Sequence, residues 1–139
     1  HCKEFYEKRR VPMVTLETVI GWIGPHKSIE FLKIDIQGLD FFAVQSGGAS
    51  LSRVKRIQLE VPITDHATLG SPDCREVVSK MKALGFRLAL TNETNPYTSG
   101  RHHGNGNIPL VTADGKSCKS LNTLEADAFF VRSDLTAAA

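Results

Sequence analysis

The sequence predicts an α/β fold, with helices layered on a mostly parallel sheet, and three observations carry that prediction. Phe31–Gly38, FLKIDIQG, reads as a strand that ends in an acid, turns at a glycine and runs into a helix. Val54–Val61, VKRIQLEV, alternates as a second strand, with Ile57, Leu59 and Val61 on one side and Arg56, Gln58 and Glu60 on the other. Roughly 17 residues, a helix among them, separate the two strands, and a right-handed parallel crossover needs about a dozen. The 139 residues suffice for one domain with its own core, and no internal repeat divides them, so 1–139 reads as a single domain.

In chain order, His1–Arg10 is a polar lead-in, and Val11, Met13 and Val14 around Pro12 form a short extended connector. Thr15 caps a helix that begins at Leu16, whose stripe is Leu16, Val19, Ile20 and Ile23 and which Gly24-Pro25 ends. Trp22 reads as packing. In the central strand Lys33, Asp35 and Gln37 share one side. Its helix, to about Ser46, buries Leu39, Phe42, Ala43 and Val44 at helical spacing, with Asp40 in the first turn where a negative charge suits the helix dipole. Gly47 and Gly48 stop it. Pro62 closes the second strand, and Ile63–Gly70 is a loop carrying Asp65 and His66. Ser71 caps the next helix with Pro72 at its first position; Val77, Val78, Met81 and Leu84 face inward and Gly85 ends it. Phe86–Thr91 is a third strand. Asn92–Thr123 is a long loop insertion rich in Asn, Gly, Ser, Thr and His. Ala126–Arg132, ADAFFVR, is a last strand, and Ser133–Ala139 a tail.

Several function classes drop out. A net charge of +2 gives no nucleic-acid footprint. No apolar run approaches the roughly 20 residues of a membrane span. Cys2, Cys74 and Cys118 are far apart and without CxxC spacing, which reads as free thiols in a reducing, cytoplasmic setting and as no zinc site. No secretory signal is visible, and a chain opening on His1 reads as lacking its natural start. Asn92-Glu93-Thr94 fits a glycosylation sequon and is read as a chance match.

The chemistry-bearing residues cluster at strand ends. Asp35 stands at the carboxyl end of a strand before a glycine turn, where open α/β sheets place their sites; capping that turn is an equal alternative. Glu60 ends the neighbouring strand, either as a second acid at the same edge or as a solvated terminus. Lys33 and Gln37 lie on Asp35's side, Lys33 at least as an ion-pair partner. His66, just beyond the second strand, is a candidate base or a plain loop histidine. His102, His103 and Asn105 match no zinc spacing, and Lys55 and Arg56 read as a solvated face.

Taken together, TLETVI, FLKIDIQGLDFFAVQSGG, IQLEVP and the terminal DAFFVR resemble the carboxyl half of FkbM-type methyltransferases, from about Val11 to Arg132. The resemblance implies a partial Rossmann-like class I methyltransferase sheet, in the order FLKIDI, VKRIQLEV, ADAFFVR, FRLALT, with the terminal strand antiparallel and the outer edge of FLKIDI open. It implies S-adenosylmethionine as cofactor and methyl transfer to the hydroxyl of a small molecule or glycan. Asp35 and Glu60 are then the catalytic candidates, and Lys33, Gln37, Gly38 and His66 the acceptor-binding ones, with no metal. Three positions depart from the family pattern: Gln37 and Asp40 stand where Glu is usual, and Glu17 where Asp is usual. The family's Asp-x-Gly-x-Asn-x-Gly cofactor turn is missing, so the chain reads as an acceptor-side fragment with little activity alone. Two other classes stay open: a non-catalytic α/β module, which Gln37 permits, and a Mg²⁺-dependent hydrolase built on Asp35 and Glu60.

Overall fold

The computed structural model describes residues 9–62, 72–89 and 125–135. Among them run α1 (Leu16–Gly21), β1 (Leu32–Ile34), α2 (Asp40–Gln45), a 3-10 helix (Gly48–Arg53), β2 (Arg56–Pro62), α3 (Cys74–Ala83), β3 (Phe86–Leu88) and β4 (Glu125–Arg132). The four strands form one sheet in the order β1-β2-β4-β3. β1 and β2 pair in parallel, and β4 runs antiparallel to both β2 and β3. This is the order and orientation expected from the sequence, with β1 at an edge of the described sheet.

Alternation along the strands sends Ile34, Ile57, Leu59, Val61, Ala128 and Phe130 to one face, where they meet Ile20, Phe41, Val44, Val77 and Met81 from the helices. Each large apolar side chain buried there contributes roughly 1.5–3 kcal/mol. The other face carries a smaller cluster of Ala89, Phe129 and Val131 with Phe31 and Leu135 against it. Gln58, on this second face by alternation, is also buried.

Thr15 caps α1 as expected, its side chain accepting from the Thr18 amide at 3.2 Å. The far end of α1 is held by Arg53, a contact between distant residues that no local pattern reveals. Its guanidinium donates to the carbonyls of Ile20 and Ile23 at 3.1 Å, Gly24 at 2.6 Å and Lys27 at 2.9 Å. Carbonyls left without partners at a helix end are thereby satisfied.

Other expectations are corrected. Trp22 is 71 % exposed rather than packed, and Val19 and Leu84 are also exposed. In α2 the buried residues are Asp40, Phe41 and Val44, while Leu39 and Phe42 face solvent. Phe41 and Val44, three apart, share the side that seats on β1 and β2, which turns Phe42 outward. β1 is only three residues long, because positive φ at Gln37 and Gly38 takes the chain out of the sheet. α3 starts later than expected: Asp73 is its cap, accepting from the Glu76 amide at 2.8 Å, and Pro72 precedes the cap.

Cys74 is disulfide-bonded, not a free thiol. Cys2 and Cys118, the other two cysteines, lie outside the described residues. Disulfides persist mainly in oxidising surroundings, so the thiol argument for a cytoplasmic setting loses its footing. Among the described residues no helix is long and apolar enough to cross a membrane.

Candidate functional site

The register of β1 on β2 pairs Lys33 with Gln58 and Ile34 with Leu59. Asp35, the residue after β1, therefore comes level with Glu60, which lies two residues before the carboxyl end of β2. Glu60 in turn pairs with Asp127 on β4. Alternation places Lys33, Gln58, Glu60 and Asp127 on the second face of the sheet, away from the helices. The Lys33–Asp35 ion pair holds Asp35 to the same side.

Each oxygen of the Asp35 carboxylate takes one donor. Lys33 Nζ lies 3.1 Å from Oδ2, and Gln37 Nε2 donates to Oδ1 at 3.2 Å. The Lys33 hydrogen bond, then that of Gln37, holds the Asp35 carboxyl below the usual aspartate range. Lys33 is pushed up, first by its hydrogen bond to Asp35, with the charges of Asp127 and Glu60 adding to it. At neutral pH the pair is charged. Both side chains remain about half exposed, 52 % and 45 %, so a ligand from solvent can reach them. A carboxylate held this low is a weak base but a strong hydrogen-bond acceptor, suited to orienting a hydroxyl.

Asp35 does not cap the turn that follows it. Asp40 does, reaching back from the first turn of α2: its Oδ1 accepts from the Ile36 amide at 3.4 Å and its Oδ2 from the Gly38 amide at 3.1 Å. Leu39, at the cap position, makes no side-chain cap bond. Between the two amides Gln37 sits at φ 57° and Gly38 at φ 91°.

The structure thus brings Lys33, Asp35, Gln37, Gly38 and Glu60 to one sheet edge. His66, His102, His103 and Asn105, the 92–123 insertion and the Asn92 sequon lie outside the described residues.

The model of the FkbM methyltransferase domain matches residues 3–88, more than half of the 139-residue chain. The chain belongs to the FkbM methyltransferase family. Neither the curated proteins nor the solved structures compared with it include a match. The FkbM match takes in the Asp35 turn, α2, β2, α3 and β3 and stops before β4.

Two residues beside this candidate site escape a reading of the sequence. Asp40 was read as a dipole charge, because only the turn's geometry shows its carboxylate pointing back. Asp127 could have been found: it shares alternation with Phe129 and Val131, and antiparallel pairing sets it opposite Glu60 within β2.

Proposed function

We propose that residues 1–139 form a single unit that supplies the acceptor side of an S-adenosylmethionine-dependent O-methyltransferase with a Rossmann-like sheet. The observation that carries this reading is Asp35, charged and exposed at the carboxyl end of a parallel strand, level with Glu60 and held by Lys33 and Gln37. Chemistry in open α/β sheets gathers at such strand ends. Asp35 accepts the hydrogen bond of an acceptor hydroxyl, fixes the direction of its lone pair and takes up its proton as the oxygen gains the methyl group; a weakly basic carboxylate suffices because that proton turns strongly acidic as the oxygen is methylated. Lys33 keeps Asp35 charged, and Glu60 offers a second acceptor for a neighbouring hydroxyl. Small molecules or glycans bearing hydroxyls fit such a set.

The glycine turn after β1 is not suited to seat S-adenosylmethionine. That cofactor needs a glycine turn with free amides and an acid for its ribose. The glycine turn after β1 has its Ile36 and Gly38 amides occupied by Asp40. The reading assigns the donor's seat to residues other than these, and because no Asp-x-Gly-x-Asn-x-Gly turn occurs in the 139 residues, the chain alone is expected to transfer no methyl group.

The test is transfer of labelled methyl from S-adenosylmethionine to a panel of hydroxyl acceptors, by a protein joining this chain to an Asp-x-Gly-x-Asn-x-Gly half. Labelled ether product supports the reading. Absence of transfer with every acceptor favours the second reading, a module that kept the fold without catalysis, to which the amide of Gln37 beside Asp35 lends weight. Calorimetry on the 139-residue chain alone should show no binding of S-adenosylmethionine, and micromolar binding would show the donor seat misplaced. The Mg²⁺-hydrolase reading finds no such support. An ammonium already sits against Asp35, and among the described residues no three His, Cys, Asp or Glu are grouped to hold a metal.

A further inference from the structure

Asp40 is 2 % exposed, and it faces inward at the start of α2 beside Phe41 and Val44. A buried carboxylate is costly unless its oxygens are hydrogen-bonded. Here each oxygen takes a backbone amide, from Ile36 and from Gly38, and the two amides flank Gln37. Gln37 is the one non-glycine residue with positive φ among those described, at 57°. For a side chain of that kind the left-handed region is disfavoured and persists only where its surroundings enforce it. In that conformation the Gln37 amide folds back onto Asp35 Oδ1 at 3.2 Å.

We propose that Asp40 is a positioning residue of the site: by clamping the amides on both sides of Gln37 it enforces the left-handed turn that delivers the Gln37 side chain to Asp35. The chain of action runs from a buried acid through a strained backbone to an exposed acid, and Asp40 itself touches no ligand. The proposal rests on Asp35 as the acceptor-binding group for its bearing on catalysis, while the coupling itself is independent of any activity.

The experiment is a double-mutant cycle read by ¹³C NMR titration of the Asp35 carboxyl in the 139-residue chain, with the resonance assigned through Asp35→Asn. The charged group in contact with Asp35 is Lys33, which in turn feels the charges of Glu60 and Asp127. Gln37→Ala removes the amide donor and should move the Asp35 midpoint upward, toward the ordinary aspartate value but not to it, because Lys33 remains. Asp40→Asn keeps the shape and one acceptor but loses the clamp on one amide, and should move the midpoint the same way. The double variant should show no more than Gln37→Ala alone. A parental midpoint in Asp40→Asn, or full additivity of the two shifts, overturns the proposal. If Asp40→Asn fails to fold, Asp40→Glu, which retains both oxygens one methylene further out, replaces it with the same expected and overturning outcomes. In the complete enzyme Asp40→Asn should lower kcat on the order of 10²-fold with KM for the methyl donor unchanged, the scale of a misplaced reacting group. A coupled titration without any methyl transfer would leave the clamp standing and remove the methyltransferase reading instead.

Discussion

Glu60 on β2 stands directly opposite Asp127 on β4. Like charges placed opposite each other weaken strand pairing, and here both charges act on the ammonium of Lys33, on the neighbouring strand, and help to hold it protonated. One lysine therefore serves three acids, counting its ion pair with Asp35.

Lys33→Met should lower stability in a pH-dependent way. Asp35 has a depressed folded-state value, so its share of stability is present above about pH 4, the unfolded aspartate value, and is lost as pH falls through the folded one. Lys33 has a raised value, so its share is present below about pH 10.4 and is lost as pH rises through the folded one. The parent should exceed the variant between those limits by at most about 1 kcal/mol, because the pair is half exposed. Urea melts at pH 3, 7 and 11 would show it; a difference as large at pH 3 as at pH 7 would count against the ion pair.

Under the proposed methyltransferase reading, Asp35→Asn should reduce kcat by roughly 10²-fold or more, with its melting curve little changed. Little stability should go with it, since Asp40 rather than Asp35 holds the turn. Glu60→Gln should give a smaller loss. Near-parental turnover per folded molecule in Asp35→Asn would remove it from the site.

The facing of α2 predicts opposite fates for two adjacent phenylalanines. Phe41→Ala should cost about 3–5 kcal/mol, as for a filled core position. Phe42→Ala should cost about 1 kcal/mol or less. Equal losses in denaturant melts would mean that the helix is turned differently.

Arg53→Lys should cost about 1–3 kcal/mol, because an ammonium cannot span the carbonyls of Ile20, Ile23, Gly24 and Lys27. A melting temperature equal to the parent's would show that α1 does not depend on it.

Cys74 should resist alkylation in denaturant until a reductant is added. Labelling without reductant would show a free thiol.

Strand alternation, the order of the sheet and the Asp35–Glu60 edge were legible because period-two patterning and the KIDIQG turn are local signals, and the family resemblance supplied the strand order. Legibility failed where a short helix allows two facings, as with Phe41 and Phe42, since six residues barely define a stripe. It failed at Asp40, whose carboxylate points against the chain direction. It failed at Arg53, whose partners lie some 26 to 33 positions away. The Cys74 bond was hidden because spacing alone does not reveal pairing.

β4 is last in the chain but sits between β2 and β3 in the sheet. Growth from the ribosome therefore leaves β2 and β3 without the strand that joins them until residues 125–132 have emerged, and the described sheet is completed only with β4. High sequence separation of this kind slows folding. A stop codon just ahead of Glu125 would not trim the sheet at its rim; it would divide it, leaving β3 with no strand to pair with while α3 still packs on β2.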